Sequence, residues 1–402
     1  MKKLFFIAAI AGAALVSCTK NELAPSATKQ YELTFASPVS QVITKGVALT
    51  PTTYPTDATY NFAVFADYHK DLYTTTIGAT NPTSLFTSYM RNGEGVPVGY
   101  NHSDAGVLID DVTFTDWWAP VGKKYYWPMD GYLTFAAYSP ASINTTAEIA
   151  YNITNGIVIN DYEVSQTAVG TTVNQVDLML SDRATDQKRP YTVANNQNVS
   201  GTANDGVHIA FNHVLSAISF LFKTAEDYTV NDYTITLKTL TIKNAYTKAD
   251  LTQFSGLSMT ALELDATQYA TLWSDYKGVA NNVVYNSSLE LDDDGKRLDS
   301  NETNKADILL IPQALNHSAT EKVQLEIVYT VSHPDMGSTG EGASAVQNSI
   351  EYTKTLDLAT SAVASWAAGT RYLYTITIGM NEIHFAPTVT DWVPEIDTPI
   401  TF

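Results

Sequence analysis

Hydrophobic and polar positions along the chain follow two regimes. From Leu4 to Leu15 the residues are apolar or small and uncharged, behind a positive start at Lys2 and Lys3. That run is too short for the roughly 20 residues a helix needs to cross a hydrocarbon core, and its order is that of an export signal. Beyond residue 30 the period is two. Tyr31, Leu33 and Phe35 alternate with polar neighbours as a short strand, and residues 41–46 follow as a second extended piece. Residues 60–68 set Tyr60, Phe62, Val64 and Tyr68 on one face; residues 107–109, 112–114, 132–140, 157–159 and 176–180 continue the series. Asp130-Gly131, a hairpin-type dipeptide, stands directly before the strand at 132. The pattern restarts with 207–213, 218–223, 233–237, 240–242, 308–311, 323–329, 350–356 and 371–378. Helical periodicity is scarce, and its best stretch, 359–368, is stopped by Gly369. Many short strands with turn signals between them predict an all-β protein of two tandem β-sandwich domains.

Composition shifts divide the chain. Residues 182–205, with Lys188-Arg189-Pro190 and Asn195-Asn196-Gln197-Asn198, have little to bury and read as a linker. The expected organisation is a signal over 1–17, a loosely held N-terminal arm, two sandwiches that meet at 205/206, the second over 206–380, and an extension over 381–402. The extension carries Ile383, Phe385, Val389, Trp392, Ile396, Ile400 and Phe402 in extended context. Such pieces serve as the last strands of their own sheet or add to a neighbour's.

The only cysteine, Cys18, closes Leu15-Val16-Ser17-Cys18, which resembles a bacterial lipobox cut between Ser17 and Cys18. A diacylglycerol on Cys18 is then the membrane attachment, and no disulfide is available to the fold, so stability rests on a core. With 402 residues, 45% of them hydrophobic, that core can be large. There are 23 basic and 42 acidic residues, and the formal charge of -19 becomes -21 once Lys2 and Lys3 leave with the signal. That balance opposes nucleic-acid or anionic-lipid partners.

Catalytic and metal chemistry finds little support. His208 and His213, five apart in a strand-like run, point to opposite faces. Asp292-Asp293-Asp294-Gly295 lacks the ligand spacing of a calcium loop. No Gly-x-Ser-x-Gly elbow occurs, and no carboxylate pair stands out. The expectation is no enzyme, no cofactor and no metal. Trp117, Trp118, Tyr125, Tyr126 and Trp127 form an aromatic cluster that reads as sandwich core, with a stacking platform for glycans as the alternative.

Several stretches together resemble the fimbrillin family of the Bacteroidales: the lipobox, the 31–35 strand, Lys45-Gly46, Phe62-Ala63-Val64-Phe65-Ala66, Tyr126-Trp127-Pro128 before Leu133-Thr134-Phe135-Ala136-Ala137-Tyr138-Ser139-Pro140, Phe211-Asn212-His213-Val214-Leu215-Ser216, Ile311-Pro312-Gln313, and Trp366-Ala367-Ala368-Gly369-Thr370-Arg371-Tyr372. The resemblance implies a type V pilus subunit with two transthyretin-like sandwiches, carried to the outer membrane as a lipoprotein. It implies cleavage by a trypsin-like protease between Lys45 and Gly46, which removes the lipid and the strand of Tyr31, Leu33 and Phe35, and so implies bounds of 18–45 for the arm and 46–205 for the first sandwich. A C-terminal strand of another subunit, from within 383–402, then fills the groove and builds an extracellular fimbrium that supports adhesion and biofilm formation. Other fimbrial subunits and host or bacterial surface ligands are the implied partners. A lipid-retaining anchor and a surface glycan-binding lipoprotein are the alternatives.

Overall fold

The computed structural model describes residues 31–36, 39–41, 52–53, 61–91, 93–109, 112–143, 148–164, 176–188, 206–255, 259–298, 308–318, 320–334, 347–379 and 383–391. Among them the chain is all-β apart from short helical turns, the α-helical ones being α1 (Tyr73–Ile77) and α2 (Ala266–Thr271). The strands of the first half are β1 (Val39–Gln41), β2 (Thr52–Thr53), β3 (Phe62–His69), β4 (Thr87–Met90), β5 (Val96–Ile109), β6 (Val112–Pro120), β7 (Tyr132–Ser139), β8 (Glu148–Asn152), β9 (Gly156–Glu163), β10 (Met179–Ser181) and β11 (Ala184–Gln187). Those of the second are β12 (Ala210–His213), β13 (Ser216–Thr224), β14 (Thr234–Thr252), β15 (Trp273–Leu291), β16 (Lys296–Arg297), β17 (Ile308–Leu310), β18 (Gln313–Ala314), β19 (Gln324–Pro334), β20 (Gln347–Asp357), β21 (Ser365–Trp366), β22 (Thr370–Ile378) and β23 (Ile383–Asp391).

The first sheet runs β2-β1-β12-β10-β7-β3-β5-β6, with β4 on β3 and β11 on β7. Its central strands are buried on both faces. Phe62, Val64, Ala66, Leu133 and Phe135 enter one core, while Ala63, Phe65, Ala136 and Tyr138 enter another. Alternation alone placed only one face of 60–68 inside; the near-continuous apolar run is what a strand covered on both sides requires. The second of these cores is closed by a six-stranded sheet, β20-β19-β14-β9-β8 with β15 on β14, through Ile157, Ile159, Ala249, Leu251 and Trp273. The other half of that sheet packs on a five-stranded sheet, β16-β13-β22-β23 with β17 on β13, and the two bury Phe220, Phe222, Leu237, Ile242, Leu325, Ile327, Tyr374 and Ile376.

β14 and β15 are 19 residues each, about 60 Å at the usual rise, and they tie the halves together. One end of β14 pairs with β19 and the other with β9, both antiparallel. The 205/206 division therefore has strands of one sheet on both sides, and β12, just beyond it, pairs with β10 and β1 of the first sheet.

Two local expectations are corrected. Residues 359–368 form no helix: Ser365 and Trp366 pair with Ala314 and Gln313, Trp366 Nε1 donates to the Tyr374 hydroxyl at 2.8 Å, and Ala367 N donates to the Tyr372 hydroxyl at 2.8 Å. Burial of Val363 and Trp366 overrides the local helical pattern. Asp130-Gly131 is a turn but joins no hairpin, because β3 and β5 lie between β6 and β7. Gly131 is needed there, at φ +68°, since a Cβ would sit 2.6 Å from the His69 carbonyl oxygen.

Asp182 braces β12 from behind. Its Oδ1 accepts from Asn212 Nδ2 and from Leu264 N, both at 2.9 Å. Burial pushes its carboxyl up to about 6 from 3.8, the Glu263 charge adds to this, and the Leu264 N–H and Asn212 amide offset part of it. The folded chain thus holds an extra proton between pH 4 and 6, so stability falls as pH rises through that window and stays lower above it, by about 3 kcal/mol. Asp182→Asn, which keeps an acceptor for both donors, is expected to melt higher than wild type at pH 7 and level with it near pH 4. Thermal unfolding across that range checks this; parallel pH curves would count against it.

Candidate functional site

Tyr31–Ala36 is where the first sheet closes. The segment lies between the chain running out of β6 and the residues leading into β12, antiparallel to the former and parallel to the latter. On the β6 side Leu33 N donates to Tyr125 O, Phe35 N to Trp118 O and Trp127 N to Tyr31 O, each at 2.8 Å, and Trp118 N donates to Phe35 O at 3.3 Å. On the other side Val207 N donates to Thr34 O at 2.9 Å and Ala36 N to Val207 O at 3.0 Å. Six backbone bonds therefore span a slot that no other described strand fills.

Burial runs continuously from Leu33 to Ala36, with Thr34 and Ala36 nearly as buried as the two larger apolar side chains. Leu33 and Phe35 are fully buried with Phe62, Val64, Trp118, Phe135 and Phe211. Phe35 meets Phe62 and Phe135 edge-on at 5.7 and 5.8 Å. At the solvent side, Glu32 pairs with Lys124 at 2.6 Å. Gly206 makes the close approach possible: at φ +103°, a Cβ there would stand 2.6 Å from the Phe35 carbonyl carbon and 2.8 Å from Thr34 O. Nothing in the residue pattern around Asp205-Gly206, read as the end of a linker, signalled that it lines the slot.

Beyond the slot, β1 continues the arm as a parallel partner of β12, Val39 opposite Ala210. Ser17, Cys18, Lys45 and Gly46 lie outside the described residues, as do Trp392, Ile396, Ile400 and Phe402. Ile383, Phe385 and Val389 belong to β23, which pairs along its whole length with β22 at the edge of the five-stranded sheet. Ile383 packs against the core there, whereas Val389 is 48% exposed.

The aromatic cluster divides. Trp118 is buried, tilted against Phe62 and Tyr100 at 5.6 and 5.4 Å, and Tyr125 and Trp127 are half-buried against the same core. These rings make the wall of the slot, and the tilted rings around Trp118 are not the coplanar exposed faces a glycan platform needs. His213 sits 2.8 Å from Asp177, and Asp292 is held low by Lys296 at 2.8 Å, with its Oδ1 accepting from Gly295 N. Among the described residues no three His, Cys, Asp or Glu side chains converge as a metal site.

The fold and its strand-filled slot define an all-β protein built from packed antiparallel sheets, the first of them completed by an N-terminal strand. Residues 97–392 match the family model described as Fimbrillin-like, and the chain belongs to that family of fimbrial and cell-adhesion proteins. Its fold is similar to the crystal structure of a fimbrial protein from Bacteroides vulgatus ATCC 8482, at 16% identity and a TM-score of 0.54 over 90% of this chain and 100% of that one. A fimbrilin from Porphyromonas gingivalis W83 aligns at 12% identity and a TM-score of 0.37, over 90% of this chain and 97% of that one. Comparison with curated proteins gives no match. Proteins of this family are structural adhesion proteins.

Gly206→Ala is expected to destabilise the uncut chain by about 1–3 kcal/mol, because the added methyl strains the left-handed backbone and pushes on the seated strand. Hydrogen exchange at Leu33 and Phe35 should speed up more than at Tyr374 in the distant core. Equal changes at both places would mean that Gly206 acts on the whole fold rather than on the slot.

Proposed function

We propose that the protein is a structural or accessory subunit of a type V fimbria that polymerises by strand exchange. In this reading it is exported to the outer membrane as a lipoprotein on Cys18 and cut after Lys45 by a trypsin-like protease. Its vacated slot is then filled by the C-terminal extension, 381–402, of another subunit. Residues 46–205 and 206–380 supply its two transthyretin-like halves. The resulting extracellular fimbrium supports cell adhesion and biofilm formation.

The observation that carries the reading is the seating of Tyr31–Ala36. A segment ahead of the proposed cut supplies six backbone bonds and two fully buried side chains to a domain that otherwise lies beyond it. Its loss opens the apolar core and strands the Trp118, Tyr125, Trp127 and Val207 backbone groups at a bare edge, which favours addition of a new strand. Leu33 and Phe35 alone are worth roughly 1.5–3 kcal/mol each when buried, a substantial drive for any strand that replaces them. Donation from one part of a subunit to a different part of the next is a head-to-tail contact, which propagates a filament when successive rotations do not close a ring.

N-terminal sequencing and intact mass of the protein sheared from its native cells test this. A chain starting at Gly46 in heat-resistant multimers is expected, with Lys45→Ala leaving the lipidated precursor uncut and monomeric. Removal of 381–402 should abolish multimers while the cut chain still accumulates. A wild-type chain that still begins at lipidated Cys18 and stays monomeric would replace the polymerising subunit by a lipid-retaining anchor or a surface binding protein.

A further inference from the structure

The slot's occupant has a second copy in the sequence. Glu32-Leu33-Thr34-Phe35-Ala36-Ser37-Pro38-Val39 is matched by Glu382-Ile383-His384-Phe385-Ala386-Pro387-Thr388-Val389, with Glu, Phe, Ala and Val identical and Ile in place of Leu. The offset is constant, and the second stretch includes most of β23, the edge strand of the five-stranded sheet. We infer that residues 381–389 of a second copy are the segment that enters the slot, in the register that sets Ile383 in the place of Leu33 and Phe385 in the place of Phe35. This rests on the strand-exchange reading above and specifies its partner segment.

The backbone chemistry of the slot fits that register. Its six bonds use Tyr31 O, Leu33 N, Thr34 O, Phe35 N and O, and Ala36 N. The corresponding atoms belong to Asn381, Ile383, His384, Phe385 and Ala386, every one able to supply the group required. Pro387, which has no N–H, falls one residue past the last donor the slot uses. The two apolar places recur at i and i+2, so a one-residue slip would turn both side chains outward. Charge agrees as well: Glu382 takes the place of Glu32, whose carboxylate pairs with Lys124 at 2.6 Å. His384 is larger than Thr34, and this is the position where the wall must yield most.

The placement of β23 is that of a strand able to leave. Among the described strands it pairs only with β22, and although Ile383 packs against the core, His384, Ala386, Thr388 and Val389 are exposed, whereas Leu33 and Phe35 in the slot are fully buried. A rival register exists in Pro399-Ile400-Thr401-Phe402, which repeats Leu33-Thr34-Phe35 with Ile400, Thr401 and Phe402. It puts proline where Glu32 stands, so the carboxylate of Glu32 has no counterpart in that register.

A disulfide reads the register directly. Glu32 and Tyr126 are opposite each other, flanked by the bonds from Leu33 N and Trp127 N, a close antiparallel pair within reach of a disulfide. The full chain carrying Cys18→Ser, Tyr126→Cys and Glu382→Cys is cut after Lys45, checked by its new N-terminus, and oxidised. A ladder of covalent multimers that forms only after the cut is the expected result. The same chain with Pro399→Cys instead of Glu382→Cys should form non-covalent multimers without the ladder. Multimers with a ladder from Pro399→Cys, or from neither variant, would overturn the register while leaving strand exchange standing. A cut chain that stays monomeric without any cysteine substitution would overturn the reading on which the register rests. A charge swap gives a cysteine-free check: Lys124→Glu should weaken assembly of the cut chain, and adding Glu382→Lys should restore it. Failure of the second change to restore assembly counts against the register.

Discussion

The seating of Leu33 and Phe35 between Trp118 and Val207 is the constraint on which the first half of the molecule depends. Those two side chains fill the core lined by Phe62, Val64 and Phe135, and their backbone joins the end of β6 to the entry of β12. Without a strand there the sheet has two bare rims around an open apolar interior, which a sheet edge in water does not tolerate for long. A segment at the far N-terminal end of the described chain therefore completes a core made mostly of residues 62–211.

The rest of the structure packs in cores separate from this slot. The second core of the first sheet, with Phe65, Tyr138, Ile157 and Trp273, lies on the opposite face from Phe35. β14 and β15 cross from that core into the sandwich of Phe220, Leu237 and Tyr374, so the face away from the slot is braced by strands of the other half. Long antiparallel ladders of this kind share load over many bonds.

Surface chemistry adds orientation more than energy. The pairs of Glu32 with Lys124 and of Lys277 with Asp161 and Asp275 are exposed or partly so, and solvent and salt screen pairs of this kind so that they add little to stability. At the slot, the pair of Lys124 with Glu32 lies at one end of the seated strand.

The all-β class, most strand positions and the family resemblance were legible in the sequence, because period two and apolar runs are local properties and the quoted motifs occur in order. The inward direction of Leu33 and Phe35 followed from the same alternation. What tertiary structure alone decided was where those side chains go. Nothing local relates residue 35 to residues 118 and 207, or makes Gly206 the residue that lets two backbones meet. Residues 62–66 look one-sided by alternation until the second sheet is seen to cover their other face, and 359–368 look helical until Trp366 finds Tyr374. β14 reads as two short strands with a polar tail, since its later residues gain their partners in β9 from the other half of the chain. Strand identity is set by neighbours along the sequence; strand order, shared sheets and the slot are set by contacts far apart in it, and only the folded chain brings those together.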